Sequence, residues 1–176
     1  MGDILARSVP RCRHVDPPRT SLGPGLVALI VGCTGIGLLG ALSVSTGATQ
    51  GFYLALVRPS WAPPPWLFGP ACTTLYTLMA IATWLIWRHT SGTVRQRALT
   101  LFGVQLALNL AWTPVFFGRL AIGAAVIVII ANLIAVIATA VGYGRRVALA
   151  GWLLVPLALW VGFATAHNIA IWQLSR

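Results

Sequence analysis

Gln105, Asn109 and Trp112 are spaced by four and three residues, which on a helix places two side-chain amides and an indole on one face. Trp160, Ala164, His167 and Ile171 repeat the pattern further along the chain, with Asn168 beside them. Between these segments and the N-terminus runs Gln50–Pro70, which holds Phe52, Tyr53, Leu54, Leu56, Trp61, Trp66 and Phe68 and is stiffened by Pro59, Pro63, Pro64 and Pro65. Aromatic faces and neutral amides suit the binding of a flat apolar molecule. Bond-making chemistry lacks its parts: there is no Ser/His/Asp set, no HExxH and no phosphate loop. Three cysteines without a CxxC give neither a metal motif nor a disulfide framework, so no metal site is expected. Gly35–Gly40 matches GxGxxG in letters, but no strand precedes it, and the glycines are better read as helix-packing positions.

The elements that must carry these residues follow from charge. The chain has 176 residues, 58% of them hydrophobic, and its fixed charges are twelve Arg and two Asp. At 8% charged against about a quarter in a soluble domain, it lacks the polar coat that water requires. The ionised residues leave charge-free gaps at Thr20–Val57, Pro59–Trp87, Ala98–Gly118, Leu120–Gly144 and Val147–Ser175. Each is long enough for a helix of about 20 residues to cross the hydrocarbon. Ile122–Val141 has no strand-like alternation, so a barrel is disfavoured. The fold expected is an all-α integral membrane protein with five transmembrane helices, spanning about 26–44, 67–87, 98–117, 120–141 and 147–172. Pro114 and Pro156 should kink the third and fifth.

Five spans put the chain ends on opposite sides of the bilayer. Arg7, Arg11, Arg13, Arg19, Arg88, Arg95, Arg97, Arg145 and Arg146 then share one side, against Arg58, Arg119 and Arg176 on the other. In a bacterial membrane this bias makes the first side cytoplasmic. Residues 1–24 are Arg- and Pro-rich without periodicity and read as a flexible basic tail; an organelle-targeting segment is the alternative, and would place the protein in an organelle membrane. Scattered basic residues with no polar domain make no nucleic-acid site. The partners expected are the bilayer itself and an apolar small molecule.

Gln50–Pro70 is too aromatic for a solvated connector. It reads as an ordered lid over an intramembrane pocket, the other reading being an aromatic belt at headgroup depth. Polar groups within spans need a partner or a cavity, so Asn109, Asn132 and Asn168 are expected in interhelical hydrogen bonds. The four-residue rows Cys33, Gly37, Ala41, Ser45 and Gly103, Ala107, Ala111 suit close helix packing, within the chain or between two copies.

Arg58-Pro-Ser-Trp-Ala-Pro-Pro-Pro-Trp-Leu-Phe-Gly-Pro70, followed by Leu75-Tyr76, closely resembles the signature of the translocator protein family, also called TspO/MBR or tryptophan-rich sensory proteins. Gln105–Gly118 resembles its third-helix motif, and Pro156–Trp160 with Phe163-Ala-Thr165 and Asn168 its fifth. The resemblance covers residues 25–174. It implies a five-helix bundle, often a homodimer, whose first long loop closes a pocket for porphyrins such as protoporphyrin IX, for synthetic isoquinoline and benzodiazepine ligands and, in animals, for cholesterol. By position it implies ligand contacts from Trp61, Phe68, Tyr76, Asn109, Trp112, Trp160 and Ala164, with Trp66 holding the loop. No cofactor is required; porphyrin or haem would be a ligand.

The chain departs from the pattern at Phe52 and Cys72, where the family commonly has Trp, at Leu157, where Tyr is frequent, and at His167, where Leu is usual. Family porphyrin photo-breakdown relies partly on the Trp replaced by Cys72, so an enzyme is the weaker expectation. His167 adds a ligand-binding candidate: a helix–helix histidine, or an axial ligand to haem iron. Val141-Gly-Tyr143-Gly-Arg145 fits a loose sterol pattern. The expected function is tetrapyrrole binding in regulation, sequestration or transport. The alternatives are photo-oxidative porphyrin breakdown and carriage of sterol-like ligands across the membrane.

Overall fold

The computed structural model describes residues 24–44, 59, 61, 63–118 and 121–174. The basic tail, most of the expected lid (including Phe52) and Arg58, Arg119 and Arg176 lie outside the described residues. Five helices carry the fold: α1 Pro24–Val44, α2 Phe68–His89, α3 Gly92–Thr113, α4 Ile122–Gly144 and α5 Ala148–Leu174. Phe68–His89, Gly92–Phe116, Ile122–Gly144 and Ala148–Leu174 are long and apolar enough to cross a membrane. α1 has 21 residues, about 30 Å of helix.

Local chemistry sets the ends. Pro24 opens α1 at the position where a missing N–H costs nothing. A single 3-10 turn, Pro65–Leu67, leads into α2, with the Leu67 N–H donating to the Pro64 carbonyl at 3.0 Å. Arg88 and His89 lie in the last turn of α2, where positive charge complements the helix dipole. Thr90 closes that end, its N–H and hydroxyl both donating to the Ile86 carbonyl. Gly92, at φ 56°, makes the reversal into α3 that a side chain would strain.

One sequence expectation needs correction. α3 starts at Gly92 rather than near Ala98, because its hydrogen bonding continues through Arg95 and Arg97, past the charge-free gap. A helix can outrun the hydrocarbon when long basic side chains reach the interface. At Pro114 the α-helical hydrogen bonding of α3 gives way to a π-helical turn, Pro114–Gly118. Pro156, by contrast, lies inside continuous α5.

Packing follows a ring, α1–α2–α5–α4–α3 and back to α1. Its buried core includes Met79, Ile86, Val136, Tyr143, Leu154 and Val161. The outside is as apolar as the inside. Ile127, Ile134, Ile137 and Val141 project outward from α4, and Trp152 and Leu159 from α5 are 72% and 70% exposed. Water would penalise so much apolar surface, whereas lipid tails would not. The hydroxyls of Thr73, Thr77, Thr83, Thr139 and Thr165 donate to carbonyls four residues back, which satisfies them without solvent. This is an integral membrane bundle.

The small-residue rows divide. Cys33 is buried, and a Cβ on Gly37 would stand 2.7 Å from the Tyr76 ring, so Gly37 lets α1 approach α2 closely. Gly103, Ala107 and Ala111 are exposed. Tyr143 is fully buried, its hydroxyl 3.3 Å from Thr83 Oγ1, so the tyrosine of the loose sterol pattern faces the core rather than lipid.

Candidate functional site

The N-terminal end of α2 and the C-terminal half of α5 bring aromatic rings together. Trp61, in the turn ahead of α2, sets its ring edge-on against Phe163 at 5.7 Å and His167 at 5.6 Å. Phe68, the first residue of α2, meets Trp160 edge-on at 5.7 Å. Phe163 lies 6.0 Å from Trp160 and 6.3 Å from His167, linking the two contacts into one cluster. Helical geometry explains the sharing: positions 160, 163 and 167 are three and four apart and fall on one side of α5.

Beside this cluster, an open groove of about 700 Å³ runs along the α2–α5 seam. Its lining includes Pro63, Leu67, Pro70, Pro156, Trp160 and Phe163. Thr74, also in the lining, donates its hydroxyl to the Pro70 carbonyl at 2.9 Å. Pro156 leaves a carbonyl in the preceding turn of α5 without its usual N–H donor, a place where helices loosen. The groove is therefore a hydrophobic slot with aromatic walls, suited to flat apolar matter.

A second group forms between α2 and α3. The Tyr76 hydroxyl donates to Asn109 Oδ1 at 3.0 Å, and Trp112 stacks on Phe116 at 5.2 Å. Tyr76, Trp112, Trp160 and Ala164 all pack against the same buried core. The ligand-contact candidates thus fall into groups: Trp61, Phe68, Trp160 and His167 share one cluster, Tyr76 and Asn109 are joined by their hydrogen bond, and Trp112 stacks on Phe116. Ala164 is half-buried on α5. Phe163 was missed as a site residue, although its spacing from Trp160 and His167 was a signal already in the sequence. Trp66, expected to hold the loop, projects outward and is 71% exposed, which suits headgroup depth.

His167 is buried between the rings of Trp61 and Phe163, an arrangement in which the imidazole packs as an aromatic. The interhelical hydrogen bond expected at Asn109 is present; the one expected at Asn168 is not. Among the described residues neither amide atom of Asn168 has a partner, nor does Asn132 Oδ1 or Gln105 Oε1, while Gln105 Nε2 donates to the Met79 sulfur. Tyr76→Phe should lower stability by ~1 kcal/mol, because it removes one hydrogen bond and strands a carbonyl oxygen. Thermal unfolding in detergent followed by circular dichroism checks this; an unchanged midpoint would show that the bond contributes nothing.

Comparison with known proteins decides the lineage. The TspO/MBR family profile matches residues 27–173. The chain belongs to the TspO/MBR family. It is 37% identical over 124 residues to the human translocator protein, covering 69% of this chain and 73% of that one. It is 37% identical over 150 residues to protein CrtK of Rhodobacter capsulatus, covering 82% and 89%. The tryptophan-rich protein TspO of Chlorobaculum tepidum is 35% identical over 154 residues, covering 85% and 95%. The TspO/MBR match runs over almost the whole five-helix membrane domain, and the motif segments at 58–76, 105–118 and 156–168 fall within the matched range.

Proposed function

We propose that this TspO/MBR protein binds flat apolar ligands of the tetrapyrrole class within the bilayer and serves in their regulation, sequestration or transport. The observation that carries the reading is Trp160, which walls the α2–α5 groove while touching both Phe68 and Phe163. A macrocycle offers a large flat face, and an aromatic wall returns more contact to it than aliphatic side chains do. Trp61 and His167 pack against Phe163 of that wall. The relatives named translocator protein suggest, by name, that the ligand moves; uptake of protoporphyrin IX into sealed proteoliposomes would separate carriage from retention.

The test is protoporphyrin IX titrated against tryptophan fluorescence in the purified full chain. Saturable quenching is expected, with affinity about tenfold weaker in Trp160→Ala, the size of an aromatic pair contribution. Absence of saturable quenching in the wild type removes the reading. Equal affinity in the variant would move the site away from the α2–α5 seam.

A further inference from the structure

At the end of the bundle opposite the aromatic cluster, two helical hairpins turn. The α2–α3 turn carries Arg88, Arg95 and Arg97, and the α4–α5 turn carries Arg145 and Arg146. Packing holds the turns together: Tyr143, beside the second turn, reaches Thr83 near the first, and a Cβ on Gly142 would sit 3.6 Å from Leu101 of α3. The five Arg therefore belong to one end of the bundle.

Residues 24–174 contain no Asp or Glu, and the chain's two carboxylate side chains are Asp3 and Asp16. Exposed positive charges at the edge of a low-dielectric slab, such as Arg97, Arg145 and Arg146, repel one another and attract an anion. The guanidiniums are also held in place. Arg88 lies over the Trp84 ring at 4.8 Å and Arg95 over the Trp87 ring at 4.9 Å. Arg95 Nε further donates to the Thr90 carbonyl at 2.8 Å, and its Nη2 to the same oxygen, which fixes the turn. Trp87 is half exposed, as an indole at headgroup depth would be. Arg97, Arg145 and Arg146 are exposed. Planar guanidiniums match phosphate oxygens two at a time, and the net-negative group available in quantity at this depth is the headgroup of an acidic lipid, whose phosphate has no choline cation to neutralise it.

We propose that this Arg-lined end is a binding surface for anionic phospholipid, engaged through the headgroup phosphate by Arg97, Arg145 and Arg146 and oriented by the Trp-backed Arg88 and Arg95. The surface is separate from the apolar groove and does not depend on the tetrapyrrole reading.

The full chain is reconstituted into phosphatidylcholine vesicles with and without phosphatidylglycerol. It is then re-extracted in mild detergent, and carried lipid is counted by native mass spectrometry. The wild type should retain phosphatidylglycerol in preference to phosphatidylcholine. Arg145→Gln with Arg146→Gln should weaken that retention about 30-fold, and Arg97→Gln alone about fivefold, as expected for basic groups near an anionic surface. Arg145→Lys with Arg146→Lys should fall between the wild type and the Gln pair, because an ammonium keeps the charge but not the paired donors. The single Arg97 variant carries the test if the double variant does not fold. Equal retention of the two lipids by the wild type overturns the proposal, as does wild-type retention in the folded Gln variants. So does an unfolding midpoint in phosphatidylcholine raised as much by inorganic phosphate as by phosphatidylglycerol, since the anion would then not be a lipid.

Discussion

Gly151→Ala is expected to destabilise the bundle, although Ala is the better helix former. A Cβ at position 151 would stand 2.6 Å from Gly144 Cα and 2.9 Å from both the Ala140 oxygen and the Gly144 nitrogen. All three are backbone atoms, so no rotamer change relieves the clash. α4 and α5 would have to separate, and the turn joining them, closed by Arg146 and Val147 N–H donating to the Tyr143 carbonyl, leaves little chain to do so. Overpacking of this kind costs ~1–3 kcal/mol, against a propensity gain of ~1 kcal/mol for replacing a helical glycine. Gly162 supplies the control, since a Cβ there meets nothing within 4 Å. Gly162→Ala should hold or raise the unfolding midpoint while Gly151→Ala lowers it, both followed by far-UV circular dichroism in detergent. Equal midpoints for the two variants would mean that the close α4–α5 approach is not a determinant of stability.

Asn168→Leu should act in the opposite direction. Asn168 is 1% exposed, and among the described residues both its amide nitrogen and oxygen lack a hydrogen-bond partner. Leu has the same number and branching of side-chain heavy atoms, so the substitution removes two unsatisfied polar atoms with little change of shape. An unsatisfied buried polar group costs ~1–3 kcal/mol, and removing it returns that amount. The apo protein should therefore unfold at a higher temperature. The same substitution at Asn109 should be destabilising, because there the amide accepts a hydrogen bond from Tyr76. A lowered midpoint for Asn168→Leu would show that the amide is satisfied, by water or by a bound molecule. A raised midpoint accompanied by weaker protoporphyrin binding would mark Asn168 as a group held ready for the ligand.

Much of this architecture is legible without coordinates, and for one reason: the hydrocarbon slab imposes a length and a polarity on every segment within it. Arg positions mark off the stretches within which the spans lie, because a charge at the wrong depth is expensive wherever the helices pack. The same reasoning finds Trp160 and His167 on one face of α5 from spacing alone, and it contained Phe163 for anyone extending the row by three. It misplaces the start of α3, because avoiding Arg95 and Arg97 marks the edge of the slab rather than the end of the helix.

Tertiary structure decides what each face touches. Asn109, Asn132 and Asn168 look alike in the sequence, yet only packing sets the Tyr76 hydroxyl at 3.0 Å from the first and, among the described residues, leaves the third without a partner. Gly37 and Gly103 belong to similar small-residue rows, but one receives the Tyr76 ring and the other faces open space. Tyr143 sits in a surface-like motif beside Arg145 and is nonetheless buried against Thr83. In a bilayer, hydrophobicity cannot sort such cases, since lipid and core are equally apolar. Charge and hydropathy alone place the chain in a membrane as five helices and show its aromatic residues gathered at one loop and two helix faces. Which rings meet, where the groove opens and which amides are left unpaired depend on shape, and shape is set only when the five helices close on one another.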